Sequence, residues 1–121
     1  MIPKSLLLPA AVALALAAPV GRAADAPKKT PELVEQGKAA YAKYCTSCHG
    51  PKGEGDGPAA KALKPPPRNL VTQPVKGGAP EVFQVLSTGV KGTAMIAFKH
   101  LSEADRWAIA HYVAGLDSTK K

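Results

Sequence analysis

Both cysteines of this 121-residue chain lie in one pentapeptide, residues 45–49, which reads Cys-Thr-Ser-Cys-His. Two thiols at this spacing, with a histidine directly after the second, form the pattern at which haem c is attached covalently. Each thiol can add to one vinyl group of the porphyrin, and His49 is then placed beneath the iron as an axial ligand. The pentapeptide therefore predicts one haem c per chain, attached through Cys45 and Cys48.

Three other kinds of site use paired cysteines. A zinc site needs a second pair of ligands, and His100 and His111 are too far apart in the sequence for the usual ligand spacings. A thioredoxin-like redox pair lies in a βαβ context, which this sequence lacks. A structural disulfide in an oxidising compartment is the third alternative. Haem attachment is the interpretation that the spacing favours.

Residues 1–26 have the pattern of an export signal, with Lys4 near the start, an apolar run over residues 6–20 and small residues after it. This run is shorter than the roughly 20 residues that span a bilayer, so no stable membrane insertion is expected. Cleavage after Ala23 or Ala26 fits the pattern. Residues 27–121 then form a single exported domain in the periplasm, the side of the membrane on which haem c is attached.

The formal net charge is +7, and the leader accounts for only one of these charges. A basic surface favours acidic partners and speeds encounter with them. The basic residues are scattered and lack interleaved aromatic residues, so the sequence gives no indication of nucleic-acid binding.

Helix signals predict an all-α fold with long loops. Thr30 is suited to cap a helix over residues 31–44, and Ser102 followed by Asp105 resembles a capping box that starts the last helix. Pro80 can start a shorter helix over residues 81–88, and residues 58–63 can form a weaker helical turn. Aromatic residues are only 5% of the chain, and no run alternates as a strand does.

The spacing of four residues completes a resemblance to the class I c-type cytochromes. Gly37 and Tyr41, eight and four positions before Cys45, match contact residues of that family's first helix, and Ile109 and Tyr112 match the last helix. The resemblance covers nearly all of residues 27–121. It implies the cytochrome c fold, three to four helices wrapped around one haem, in which the first and last helices cross nearly at right angles through the glycine.

The same resemblance implies that the sixth iron ligand lies on a loop shortly before the last helix. Here that loop is residues 92–98, and Met95 is the residue that matches the ligand. A methionine in an apolar stretch is otherwise a flexible core residue. His100, five positions further on, is the rival ligand.

Two further residues are assigned from the resemblance. The family holds the ring N–H of the proximal histidine with a proline carbonyl, and Pro58 is the best match, although it could equally be a turn residue. Similar chains place polar groups near the haem propionates where Arg68 stands, and a guanidinium could form charged bidentate bonds there. A solvated surface arginine is the alternative.

The implied function is electron transfer between a donor and an acceptor protein with acidic docking surfaces, so the protein is expected to be a carrier and not an enzyme. We expect this carrier to be a monomer. The alternative is a cytochrome subunit bound tightly in a dehydrogenase or oxidase complex. A gas-binding or peroxidatic haem protein is a third possibility, and it requires an open sixth position. The lysines expected to steer partners are Lys61, Lys64, Lys91 and Lys99.

Overall fold

The computed structural model describes residues 25–120, and within this range it contains helices, turns and loops but no strand. The elements are α1 (Pro31–Tyr44), α2 (Thr46–His49), a three-ten turn (Ala60–Ala62), α3 (Gly78–Thr88) and α4 (Glu103–Ala114). The all-α prediction is confirmed. The predicted export signal lies almost entirely outside the described residues, so its processing stays a prediction.

Helix α1 begins as its sequence predicts. The Thr30 hydroxyl accepts a hydrogen bond from the backbone N–H of Leu33 at 3.1 Å, which satisfies one of the first-turn donors. Pro31 follows at the first helical position, where an amide hydrogen would have no partner. Gly37 and Tyr41 are the buried residues of this helix, so the predicted apolar face is the one that meets the core.

Helix α4 begins after Ser102, whose hydroxyl accepts a hydrogen bond from the N–H of Asp105 at 3.0 Å. The reciprocal half of a capping box is absent here. The Asp105 carboxylate instead accepts a hydrogen bond from the Gln36 side-chain amide of α1 at 2.9 Å. The residue predicted to close the cap therefore joins the first and last helices.

Helix α3 begins at Gly78, earlier than the predicted residues 81–88. Pro80 is tolerated in the first turn because the amide groups there have no intrahelical partner. The Glu81 carboxylate accepts a hydrogen bond from the Gly77 N–H at 2.8 Å. The end of the helix at Thr88, followed by Gly89, agrees with the prediction.

The core forms where α1 and α3 pack against α4. Gly37 lies directly against the backbone of Ala108, and a Cβ at this position would overlap the Ala108 carbonyl. Beside this contact, the rings of Tyr41 and Tyr112 lie 5.2 Å apart between centroids. On the other flank of α4, the Trp107 ring stacks on Phe83 of α3 at 4.0 Å. The small residue allows the two backbones to approach, and aromatic rings fill the space on either side.

None of the helices between residues 25 and 120 is both long enough and apolar enough to cross a bilayer.

Candidate haem-binding site

Helix α2 is a single turn that brings the predicted haem-attachment residues together. The N–H of His49 donates to the Cys45 carbonyl at 2.9 Å, so residues 45–49 close one helical turn. Positions three and four residues apart lie on the same side of such a turn, which places both sulfurs and the imidazole together. Cys45 is buried, Cys48 is partly buried, and both are free thiols.

Burial changes the chemistry of the first thiol. Desolvation raises the pKa of Cys45 to about 12, and the neighbouring Cys48 adds to the shift. The neutral thiol therefore dominates at ordinary pH. Among residues 25–120, no three His, Cys, Asp or Glu side chains assemble into a cluster that could hold a bare metal ion.

The imidazole of His49 is oriented by a backbone carbonyl. Its Nδ1 lies 3.2 Å from the Arg68 carbonyl oxygen, and since a carbonyl can only accept, Nδ1 carries the proton. The other ring nitrogen, Nε2, is then the unprotonated one that can bind a metal. Burial lowers the pKa of His49, and the Arg68 hydrogen bond opposes part of this shift. Burial is the larger effect and favours the neutral imidazole, while the hydrogen bond to Arg68 orients the ring.

The carbonyl role assigned to Pro58 is therefore wrong, and Arg68 fills it. Residues 57–59 instead run along the back of α2, where the N–H groups of Gly57 and Ala59 donate to the carbonyls of Cys48 and Ser47 at 3.0 and 2.8 Å. Pro58 is exposed on this segment. Its neighbours Gly57 and Ala59 bond the carbonyls of α2, and the imidazole bonds the Arg68 carbonyl.

The chain reaches Arg68 through three consecutive prolines, whose rings restrict the backbone to few conformations. The Leu70 N–H donates to the Gly53 carbonyl at 2.7 Å, joining this segment to the turn after α2. Gly55, at φ 79°, lies so close that a Cβ would be 2.7 Å from the Pro67 carbonyl oxygen. Only glycine combines this left-handed conformation with so close an approach.

The Arg68 side chain does not share the contact that its carbonyl makes with His49. It is exposed, and its guanidinium makes no hydrogen bond or ion pair with any residue between 25 and 120. Its predicted contact with a haem propionate stays a prediction. Sequence reasoning selected this residue for its charge and missed its carbonyl, because every residue carries one.

Tyr41 secures the far end of α2. Its hydroxyl donates to the Gly50 carbonyl at 2.7 Å, and the side chain is only 2% exposed. Burial, the neighbouring Cys45 and other nearby groups raise the pKa of Tyr41 far above its usual value, so the phenol stays a donor. The family contact residue on α1 therefore fixes the position of the residue after His49.

Met95 lies on a loop, residues 89–98, that we call the Met95 loop. Its carbonyl accepts from the Val90 N–H at 2.9 Å, and its N–H donates to the Thr93 hydroxyl at 3.1 Å. The side chain is partly buried and packs against the hydrophobic core. His100, the rival ligand, is exposed, with its ring 6.1 Å from Tyr44 and 5.5 Å from Phe98. Of the two candidate ligands, Met95 is the partly buried one and His100 the exposed one.

These residues form a donor set that suits haem c. Two free thiols lie one helical turn apart, a neutral imidazole has its Nε2 available, and a thioether reaches the core from a separate loop. Nitrogen and sulfur donors of this kind are the axial ligands of cytochromes c. The residues present therefore fit the group that the pentapeptide predicts.

Comparison with known proteins gives the same result. Residues 32–113 match the family model described as cytochrome c oxidase, cbb3-type, subunit III. A chain of the Kuenenia stuttgartiensis reducing HAO-like protein complex Kustc0457/Kustc0458 is 34% identical and superposes with a TM-score of 0.70. The match covers 78% of this chain and 48% of that one, so this chain corresponds to about half of the longer protein. No curated protein matches the chain.

The fold and the site together define a small c-type cytochrome. The chain belongs to the cytochrome c domain family whose model is named for subunit III of the cbb3-type oxidase.

Proposed function

We propose that this protein carries one haem c, attached through Cys45 and Cys48 and ligated by His49 and Met95, and passes single electrons between redox partners in the periplasm. The observation that carries the proposal is the hydrogen bond from His49 Nδ1 to the Arg68 carbonyl at 3.2 Å. It fixes the tautomer and ring orientation that a metal-binding histidine requires.

The cysteines would hold the group by addition. In each case the S–H would add across one vinyl double bond, so that a C–S bond would form and the hydrogen would go to the other vinyl carbon. Nothing leaves in this reaction. The spacing of Cys45 and Cys48 along one helical turn supports a double attachment on one side of α2.

The two axial residues would determine the redox behaviour. A haem in this position supplies a one-electron ferric–ferrous couple. A neutral thioether from Met95 favours the ferrous state, so we expect a moderately positive potential. If His49 and Met95 both bound the haem iron, they would leave no coordination position for a substrate, and the protein would act as a carrier rather than as an enzyme.

Surface charge supports encounter with acidic partners. The four lysines predicted to steer them are all exposed in the structure: Lys61, Lys64, Lys91 and Lys99. Residues 1–26 support export, and cell fractionation with mass determination of the processed N-terminus tests both the periplasmic location and the cleavage after Ala23 or Ala26.

A second candidate function is that of a cytochrome subunit held in a larger redox complex. The similarity to half of a chain in the HAO-like complex favours it. Stable co-purification with a catalytic subunit would support this alternative, and a monomer that exchanges electrons freely with separate partners would exclude it.

The central experiment is expression in a host that matures c-type cytochromes, followed by absorption spectra of the oxidised and reduced protein. We expect a covalent haem, the weak near-red band of sulfur-ligated ferric haem, and no rapid binding of carbon monoxide to the reduced form. Cys45→Ser and Cys48→Ser should each leave only one thioether link. A colourless wild-type protein would refute the proposal, and a strongly negative midpoint potential would refute the methionine ligand.

A further inference from the structure

We infer that a groove between α3 and α4 binds a small organic carboxylate, and that Arg106 is the residue that pairs with the carboxylate group. Neither the pentapeptide 45–49 nor the Met95 loop contributes a residue to the lining of this groove. The site is therefore separate from the proposed haem site, and the inference goes beyond the proposed function.

The groove has the size and the lining of a small-molecule site. Its volume is about 460 Å³, and it opens to solvent. Apolar surface comes from Pro80, Phe83 and Trp107, and polar groups come from Ser87, Glu103 and Arg106. Ligand sites in proteins combine apolar walls with a few convergent polar groups, and volumes of roughly 300 to 1,000 Å³ are usual for them.

The guanidinium of Arg106 is fixed in the groove without an acidic partner. Its Nη1 donates to the Ser87 hydroxyl at 2.6 Å, and its Cζ lies 5.2 Å from the centroid of the Phe83 ring. The ion pair found between residues 25 and 120 joins Lys120 to Asp117, so no carboxylate in that range neutralises Arg106. Because the side chain is partly buried, its charge gains from a partner of the opposite sign.

Two adjacent residues of the groove also have buried N–H groups without acceptors. Arg106 Nε and Trp107 Nε1 are shielded from solvent, yet neither makes a hydrogen bond within the part of the chain that the structure describes. Folded proteins pair the great majority of such groups, so each orphaned donor calls for an explanation. A carboxylate supplies the acceptors, because it pairs with a guanidinium through two parallel hydrogen bonds. Since Nε is covered, the ligand displaces part of that cover as it binds.

The apolar wall determines which class of anion fits. The rings of Phe83 and Trp107 stack nearly parallel at 4.0 Å, and Pro80 of the same wall is exposed. Such a surface gains from contact with a hydrocarbon skeleton, which inorganic phosphate lacks. The volume suits a molecule of the size of benzoate, whereas a stable protein partner needs a contact of about 1,000 Å² or more. The groove therefore fits a carboxylate carried on a small ring or a branched chain.

Glu103 limits the affinity of the groove for anions. It lies one helical turn before Arg106 and lines the same groove, but within residues 25–120 the two side chains form no ion pair. Its carboxylate repels a bound anion and competes with it for the guanidinium. Because Glu103 is exposed, solvent screens this repulsion, so neutralising it should strengthen binding only a few-fold.

The test follows the indole N–H resonance of Trp107 by NMR in the reduced holoprotein. The chain has one tryptophan, so this signal is unambiguous. Benzoate at constant ionic strength should shift the resonance saturably, with a Kd of about 1 mM. Benzamide has the same shape without the charge, and inorganic phosphate has the charge without the ring. Each should bind about tenfold more weakly than benzoate, because each lacks one half of the contact.

Three variants assign the binding to named side chains. Arg106→Gln keeps a donor for Ser87 but removes the charge, so it should raise the Kd for benzoate about tenfold. Lys38→Gln removes a charge at an exposed position of α1 and should leave the Kd unchanged. Glu103→Gln should lower the Kd about threefold.

Equal shifts with benzoate and benzamide, or equal losses in the Arg106 and Lys38 variants, would overturn the inference. An equal response to phosphate would overturn the assignment to organic acids. If Arg106→Gln does not fold, the benzamide comparison and the Glu103 variant decide the question with the arginine intact. The absorption spectrum should stay that of the wild type in every variant, and a colourless wild-type protein would count against the proposed function alone.

Discussion

The two sides of the proposed iron site are built differently. On the His49 side, residues 45–57 are held by backbone hydrogen bonds to α2, by the Arg68 carbonyl and by the buried Tyr41 hydroxyl. On the Met95 side, the ligand lies on an exposed loop held by a few hydrogen bonds to α3 and within itself. The difference predicts that the histidine side is the more rigid of the two and that, with haem bound, Met95 would leave the iron more easily than His49.

The largest effect is expected on the absorption spectrum when each of the two proposed iron ligands is replaced by alanine. His49→Ala removes the ligand of the fixed side, so the low-spin spectrum should be lost and little mature holoprotein should form. Met95→Ala should keep the haem on both cysteines but open the sixth position, so that reduced protein binds carbon monoxide rapidly. Absorption spectra with and without carbon monoxide measure both effects. Two variants with the same spectrum would contradict the asymmetry.

A matched glycine pair gives the next largest effect. A Cβ at Gly57 would overlap the Ser47 carbonyl, so Gly57→Ala must displace backbone of α2 and should destabilise by about 3 kcal/mol. Gly92 has open space around it, and Gly92→Ala bears only the strain of its φ of 80°, about 1 kcal/mol. Thermal unfolding of the holoproteins should show a Tm loss of more than about 10 °C for the first and about 5 °C for the second.

A threonine pair tests the hydrogen bonds within the Met95 loop. The Thr93 hydroxyl accepts from the Met95 N–H and donates to the Val90 carbonyl at 2.8 Å, so Thr93→Val should loosen the ligand and speed carbon monoxide binding. Thr46→Val removes one hydrogen bond to the Ala42 carbonyl beside α2. Each change should cost about 1 kcal/mol of stability. Faster carbon monoxide binding in the Thr46 variant would contradict the proposed difference, because it would show that loosening the His49 side also frees a coordination position on the iron.

The smallest effect is expected at Arg68. Because its carbonyl holds His49, Arg68→Ala should keep the spectrum and the ligation of the wild-type protein. If the guanidinium lies near the propionates as predicted, the change should be confined to a modest shift in midpoint potential, because one cation is lost there. A redox titration measures this shift. Loss of the low-spin spectrum would mean that the guanidinium, and not the backbone, supports the site.

The success of sequence reasoning differs between these regions for a physical reason. The helix starts at Thr30 and Ser102 and the close approach at Gly37 follow from local side-chain chemistry, and each is observed. Asp105 bonds α1 instead of closing its own cap, since a neighbouring helix offers a partner that the local sequence does not contain.

The assignment of Pro58 failed for a related reason. A backbone carbonyl has no sequence signature, so the residue that supplies it depends on how two loops meet. The close packing of Gly55 against Pro67 places the Arg68 carbonyl at the imidazole. The sequence could not predict that Ile96 is exposed beside a partly buried Met95, because both side chains are apolar.

The sequence by itself determined the chemistry of this protein: paired thiols, a following histidine, a methionine before the last helix, and the caps and faces of the helices. Those properties depend on residue type and on spacing along a chain whose local geometry is known. The tertiary structure alone decided which carbonyl orients His49, what Asp105 bonds, and which apolar residues face solvent. Such contacts join segments far apart in sequence, and only the packed fold determines which groups meet.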